Sequence, residues 1–353
     1  MKPTFHPRLI NDPFSDPALF IPFAFKKRAL LFDLGDLGNL SPRDLLKVSH
    51  IFVTHAHIDH FIGFDQILRI LLGREKELHL FGPPDFFQRI EGKLAGYTWN
   101  LVDEYETDFR LRVTEVYPEK CITQAYACRN RFKPFEQKKE YSFAGTLLEE
   151  SAFKVTAEWF DHRIPVLGFS LIENFHININ KEALKELSLP VGPWINRFKK
   201  AIYENQDQSS EFIVSFVDAE SNRIEKKYII DELSAKIAHI SAGTKITYLT
   251  DIVGDKRNIE KAIKFADGSD QLFIEASFLD CDKDVARKKY HLTAKQAGQI
   301  AGGARVKQLI PFHFSPRYSH RSEELIKEAI EERKRAGGRG KRGEGRRKRD
   351  PST

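Results

Sequence analysis

The chain has 353 residues, enough for one large domain or two moderate ones, with 41% hydrophobic and 12% aromatic residues to build a core. Of its 56 basic and 50 acidic residues, the segment 331–353 holds ten and four, so the net charge of +6 belongs to that tail and leaves 46 of each sign in a neutral body. No apolar run is long enough for a membrane span, Met1-Lys2-Pro3 does not open a secretory signal, and three cysteines without a C-x-x-C pair exclude a disulfide framework, so a soluble, cytoplasmic protein is expected. Cys121 and Cys128, with six residues between them, read as core or surface thiols rather than zinc ligands.

The first forty residues alternate short apolar runs with Pro, Asn and Asp, as in a β-meander, and end at Asp33-Leu34-Gly35-Asp36. Val48–Val53 is β-branched, aromatic and apolar and reads as a buried strand. A helix is expected from about Gly63 to Leu72, then a strand at Leu78–Phe81 stopped by Gly82-Pro83-Pro84, then a helix over 85–96. Residues 107–117, 139–147 and 152–159 alternate as strands. Short helices follow at 181–187 and Trp194–Tyr203, separated by a Pro-Gly-Pro break. Strands at 245–250, 272–275 and 308–311 then alternate with helices at 258–265 and 293–302, and a charged helix is expected at 322–335. Strands with interleaved helices predict an α/β fold of sheets covered by helices. Past Ala336 there are no apolar residues and many Gly and Arg, so 331–353 is expected to be a disordered basic tail able to hold RNA phosphates.

The segment that carries chemistry is Thr54-His55-Ala56-His57-Ile58-Asp59-His60, directly after the Val48–Val53 strand. Positions two apart in an extended chain point the same way, so His55 and His57 can face one metal. Asp59 and His60, where the chain must turn, can face a second. Imidazole with carboxylate suits zinc, and manganese or iron less well. Gly63 lets a helix pack closely against the loop.

Three later strands also end in ligand residues: the strand before Asp161-His162, the strand before Asp251, and the strand before His313. Together these fill two metal sites. His55, His57 and His162 would hold the first ion, Asp59, His60 and His313 the second, and Asp251 would bridge both.

His-x-His-x-Asp-His after a strand resembles the signature of the metallo-β-lactamase fold, and the rest is similar to its ribonuclease Z branch, endonucleases that remove 3′ trailers from precursor tRNA. The similar segments are Leu31–Gly35, Phe160–Phe169, Ile274-Glu275-Ala276-Ser277-Phe278, Tyr290-His291-Leu292-Thr293 and Pro311–Tyr318. The resemblance implies a four-layer αβ/βα sandwich over 1–330, two zinc ions and a homodimer. It also implies hydrolysis of a phosphodiester by metal-activated hydroxide, with Asp59, His291 and Glu275 as the catalytic residues. In that scheme His291 protonates the leaving oxygen and Glu275 orients it. Residues 174–210 are similar to the flexible arm with which the family grips tRNA, and Arg197, Lys199 and Lys200 become RNA contacts there. Two departures stand out: the chain lacks the family's Gly-rich turn near its start, and the bridging Asp251 sits in Thr250-Asp251-Ile252 without the usual preceding Gly and following hydroxyl residue. The alternatives are a hydrolase of small phosphodiesters or other esters on the same fold, and a non-catalytic RNA-binding paralogue.

Overall fold

The computed structural model describes residues 4–24, 26–218 and 220–344, with side chains described to residue 338. The chain divides into two compact units. One holds Thr4–Leu147, Val155–Leu171 and the chain from Lys245 onward, and the other holds Leu148–Lys154 and Ile172–Thr244.

In the first unit an antiparallel meander, β1 (Arg8–Leu9), β2 (Leu19–Pro22) and β3 (Ala29–Phe32), leads through helix α1 (Pro42–Leu45) into β4 (Val48–Phe52). Helices α2 (Ile58–Phe61) and α3 (Phe64–Leu71), strand β5 (Lys76–Gly82) and helix α4 (Phe86–Ala95) follow, then β6 (Phe109–Val116), β7 (Lys120–Ala127) and β8 (Lys139–Ser142). Among the described residues these strands form one eight-stranded sheet in chain order, parallel from β3 to β6 and antiparallel at both flanks. Phe64, Ile67, Leu68 and Leu71 of α3 and Phe86, Ile90 and Leu94 of α4 pack on one face of it with Leu31, Ile51, Val53 and Val113. The spacing of these residues is the one-faced apolar stripe of a helix lying on a sheet.

The chain continues through β9 (Thr146–Glu150), β10 (Phe153–Asp161) and β11 (Pro165–Glu173). The second unit comes next: β12 (Phe175–Ile179), α5 (Lys181–Glu186), α6 (Trp194–Tyr203), β13 (Glu211–Val217), β14 (Arg223–Ile229), α7 (Ile230–Ile237) and β15 (Ala238–Ala242). Strands β12 and β15 pair antiparallel, as do β13 and β14. A core of Leu184, Leu189, Trp194, Phe198, Val214, Leu233 and Ile237 closes the unit. The expected arm at 174–210 is thus part of a larger folded body that runs to Thr244. Trp194 within it is fully buried, and its Nε1 donates to the Pro190 carbonyl at 2.9 Å.

The first unit is completed by β16 (Lys245–Leu249), α8 (Lys256–Ala266), β17 (Gln271–Glu275), α9 (Lys283–Lys289), α10 (Ala294–Gly303), β18 (Gln308–Phe312) and α11 (Ser322–Glu344). The second sheet runs β18-β17-β16-β11-β10-β9, with β16, β17 and β18 parallel. Its outer face meets α8, α10 and α11 through Ala262, Ala266, Ala297, Ile300, Leu325 and Ala329. Between the two sheets lies an aromatic layer. Phe32 and Phe52 of the first sheet meet Phe169 of the second at 5.4 and 5.7 Å, and Tyr248 stacks on Phe312 at 5.1 Å. Helix, sheet, sheet, helix is the four-layer order expected from the sequence.

The terminal helix runs on to Glu344, where disorder was expected from 331. The reason is close packing. A Cβ at Gly298 would strike the Ala329 carbonyl, and one at Gly302 would strike the Ala336 methyl and the Arg333 carbonyl. Arg333 also donates from Nη2 to the carbonyls of Val306 and Lys307, at 2.7 and 2.6 Å. The remainder of the expected tail, 345–353, lies outside the described residues. Among the described residues no helix is long and apolar enough to cross a membrane.

Gly298→Val should therefore destabilise the protein by roughly 1–3 kcal/mol through overpacking. Gly92→Ala on α4, where nothing lies within 4 Å of the added methyl, should stabilise it by up to ~1 kcal/mol. Urea unfolding of the two variants checks the contrast, and equal midpoints would refute the close-packing account.

Candidate metal centre

Parallel strands deliver their C-terminal ends to one edge, and most of the candidate residues sit there. The loop after β4 carries His55, α2 starts at its N-cap His57, and Asp59 and His60 lie in its first turn and a half. His162 follows β10, Asp251 follows β16, Glu275 ends β17 and His313 follows β18. At three strand ends the chain turns through the left-handed region: Asp33 at φ 62°, Asp251 at φ 52° and His313 at φ 57°. Asp and His tolerate that conformation better than most residues, and it turns each side chain off the strand's alternating pattern.

The side chains converge. Ligand atoms of His55, His57 and His162 lie within 4.8 Å of one another, as do those of Asp59, His60 and His313. Asp251 stands between the two triads. Its Oδ2 is 2.7 Å from His60 Nε2 and 3.9 Å from His55 Nε2, and its Oδ1 is 3.8 Å from both His162 Nε2 and His313 Nδ1. Asp59 Oδ2 is 3.3 Å from both His60 Nε2 and His313 Nε2. Yet His55 Nε2, His60 Nε2 and His313 Nδ1 are buried without a hydrogen-bond partner. Close approach without alignment is what donors aimed at shared ions look like, since buried polar atoms otherwise find partners. The residues therefore fit a pair of metal ions.

Electrostatics favour the ligand forms of His55, His57 and Asp251. Burial lowers His55 well below the ordinary imidazole value and His57 below it, which keeps both neutral with a lone pair to give. Burial would raise Asp251, but the surrounding His313, His60 and His55 hold it well below the usual carboxylate range. The carboxylates of Asp251 and Asp33 outweigh burial at His60 and raise it.

A second layer of groups aims the first. Asp33 is fully buried beneath the site. Its Oδ2 accepts from His60 Nδ1 at 2.8 Å and from the Tyr248 hydroxyl at 2.9 Å, and its Oδ1 accepts from Thr54 N at 2.7 Å. His162 Nδ1 donates to the Tyr290 carbonyl at 2.9 Å, which leaves Nε2 toward Asp251. Glu275, also fully buried, accepts from Ile252 N at 2.6 Å, from Ser277 Oγ at 2.9 Å and from His291 Nδ1 at 2.8 Å. Burial would lower His291, but Glu275 and then Asp251 raise it to about 9. Asp33 received no role from the sequence. The available signal was an acid immediately after an apolar strand, which burial in a core does not tolerate without partners.

The three basic residues of the second unit are not alike. Lys199 Nζ donates to the Ile177 carbonyl at 2.6 Å, and burial lowers its pKa. Arg197 reaches Ser215 Oγ at 2.8 Å and Lys200 pairs with Glu204 at 3.5 Å, both on the surface. Lys199 thus satisfies its own fold, while Arg197 and Lys200 are exposed.

Asp33→Asn replaces an acceptor oxygen with an amide and should weaken metal binding by roughly 10–100-fold, the usual effect of losing a group that orients a ligand histidine. Competition with a chromogenic chelator measures it, and unchanged affinity would remove Asp33 from the site.

No family model matches the chain. Proteins named ribonuclease Z are similar along most of it. The one from Deinococcus radiodurans is 27% identical over 315 residues, covering 88% of this chain and 90% of the relative. That of Nanoarchaeum equitans is 28% identical, covering 82% and 76%. Among solved structures, human short-form tRNase Z aligns with a TM-score of 0.46 at 18% identity, covering 89% of this chain and 93% of that one. The metallo-β-lactamase fold protein YhfI from Bacillus subtilis gives 0.48 at 14%, covering 89% and 84%. Over most of its length the chain is similar to proteins named ribonuclease Z, and its two sheets lie between two layers of helices.

Proposed function

We propose that the protein is a metal-dependent endoribonuclease that trims the 3′ side of precursor tRNA. The observation that carries this is the convergence of six ligand side chains on the buried Asp251, the seven coming from four separate segments, in a chain similar to ribonuclease Z over 88% of its length. His55, His57 and His162 would hold one ion, Asp59, His60 and His313 the other, and Asp251 both; the imidazole–carboxylate donor set suits zinc, with manganese or iron as the alternatives. Such ions polarise a phosphate and lower the pKa of a water toward neutrality.

The chain's own groups supply the rest. Asp59 Oδ1 takes no hydrogen bond among the described residues, so it can accept the proton of the attacking water while Oδ2 stays on its histidine neighbours. His291 has Nδ1 engaged by Glu275, which fixes its tautomer and leaves Nε2 to hand a proton to the leaving oxygen. Glu275 keeps that geometry because two further donors hold both of its oxygens. Arg197 and Lys200, exposed on the second unit, would meet RNA phosphates. Through the same family resemblance the working form is a cytoplasmic homodimer, which light scattering on the purified protein tests.

The decisive experiment incubates zinc-loaded protein with a precursor tRNA and with a small phosphodiester, and maps any cut. A single cut at the 3′ end of the acceptor stem supports the reading; turnover of the small ester alone overturns it. Metal analysis should find two ions per chain, and Asp251→Ala should abolish turnover and lower retention of both. His291→Ala should slow cleavage by about a hundredfold or more at unchanged metal content. Loss of metal in that variant would make His291 a ligand instead. Glu173 N already donates to the Thr244 carbonyl at 2.9 Å, so a short turn can replace residues 176–241. That deletion should weaken precursor-tRNA cleavage and spare the small ester. Equal loss of both would make the second unit a folding element.

A further inference from the structure

Two clefts flank the metal-ligand cluster. One, of about 380 Å³, lies on the side of His55 and His57 and is lined by Pro84, Phe86, Arg89 and Ile164. The other, of about 290 Å³, lies on the side of His291 and His313 and is walled by Phe14, Asp16, Phe278 and Lys289. The proposed proton donor belongs to the second cleft only, so the leaving oxygen of the RNA must enter there.

One wall of that cleft is the loop between β1 and β2, and it is pinned. Phe314 N donates to the Pro13 carbonyl at 2.7 Å, and Phe14 sets its ring edge-on to Phe314 at 5.4 Å. Asn11 Nδ2 donates to the Asp16 carbonyl at 2.6 Å, and Gly35 N to the Pro17 carbonyl at 3.0 Å. Gly35 lies so close that a Cβ would collide with the carbonyls of Asp16 and Pro17. The loop is therefore a fixed surface, and what it presents is chosen by the fold rather than by chance exposure.

It presents a carboxylate without a donor. Asp16 is half-buried, and its side chain accepts no hydrogen bond among the described residues. Burial and the neighbouring charges of Asp59 and Asp36 disfavour its ionised form, and nothing in its surroundings offsets this with a direct bond. The other polar groups of the cleft are occupied, of the wrong kind or, as with Asp59, already assigned to the attacking water. Ser277 Oγ donates to Glu275 and to the His313 carbonyl, Ser15 Oγ to Asp12, and Lys289 can only donate.

We infer that Asp16 accepts a hydrogen bond from the 2′-hydroxyl of the ribose just upstream of the scissile phosphate, and so makes cleavage selective for RNA. This rests on the endoribonuclease reading above. If the bond broken is that of a 3′-oxygen, protonated by His291, the 2′-hydroxyl is attached to the adjacent carbon of the same sugar and must enter the same cleft. A hydroxyl facing a carboxylate makes a charge-assisted bond, and the 2′-hydroxyl is the group by which a protein tells RNA from DNA. Phe14 and Phe278 supply apolar faces beside that sugar, which suits its attached base.

The test uses the metal-loaded full chain and two precursor tRNAs that differ only by a 2′-deoxy substitution at the nucleotide upstream of the cut. For the wild type the deoxy substrate should be cleaved about tenfold more slowly or worse, the scale of one lost charged hydrogen bond. Asp16→Ala should be slow on the all-ribose substrate by a similar factor and should then be nearly indifferent to the deoxy substitution. Asp16→Asn, which keeps an acceptor oxygen, should recover part of the discrimination. Metal content and thermal unfolding of each variant separate this from misfolding. An Asp16→Ala enzyme that still discriminates as the wild type does overturns the inference while leaving the function standing. A wild type that cuts no RNA overturns the function, and the inference with it.

Discussion

A carboxylate 2% exposed at the seam between two sheets is the constraint from which the centre is built. Asp251 cannot be solvated there, and an uncompensated buried charge costs several kcal/mol. The fold answers with imidazoles from four segments, set around it at 2.7 to 3.9 Å. Those imidazoles in turn need fixed tautomers, which Asp33, Tyr290 and Glu275 provide. Two of these three lie at strand ends, and Tyr290 belongs to the turn after α9. The site is thus the end product of strand direction: parallel strands bring their C-terminal ends together, and whatever side chains the sequence places there must satisfy one another.

The aromatic layer makes that seam possible. Phe32, Phe52 and Phe169 fill the space between the sheets, and Tyr248, part of the same layer, turns its hydroxyl to Asp33. One residue thereby belongs to both the packing core and the hydrogen-bond network under the metal ligands. The strain of left-handed backbone at Asp33, Asp251 and His313 is carried by the same arrangement, since each of the three is held by a group from the loop after β4 or from α2. Left-handed non-glycine residues of this kind cost of order 1–3 kcal/mol each and persist where the surroundings over-determine them.

The strand ends were readable in the sequence because apolar runs stopped at His or Asp, a pattern that survives without knowledge of partners. Gly63 was readable for the same kind of reason: its N–H donates to the Leu34 carbonyl at 2.8 Å and a side chain there would strike the Gly35 carbonyl. Asp33 was not, because its role lies in contacts 21 to 215 residues away in the chain, to Thr54, His60 and Tyr248. Residues 211–229 gave no assignment because β13 and β14 are only partly buried and, among the described residues, pair only with each other, so no long apolar period marks them. The terminal helix was cut short for a different reason. Glycines at 337 and 338 argue against a helix by propensity, but the helix is held by its packing on Gly298 and Gly302 of α10, where a side chain would strike Ala329, Arg333 and Ala336.

The start of the chain shows how one departure from a family pattern can be structurally complete. The sequence lacks the family's Gly-rich turn near its start, and the loop between β1 and β2 reads Asn11-Asp12-Pro13-Phe14-Ser15-Asp16-Pro17. Glycine would permit a tight turn by freedom of φ; this loop achieves a fixed shape by other means. Asp12 accepts from Phe14 N at 2.9 Å and from Ser15 Oγ at 2.5 Å, two prolines limit the backbone, and Asn11 and Gly35 clamp the far side. The close approach is made at Gly35, where a side chain would collide with the carbonyls of Asp16 and Pro17. Side chains are thereby gained at positions where a Gly-rich turn would have none, and two of them, Phe14 and Asp16, line the cleft beside His291. The N-terminal loop thus walls the cleft beside His291 without including any of the candidate metal-ligand residues.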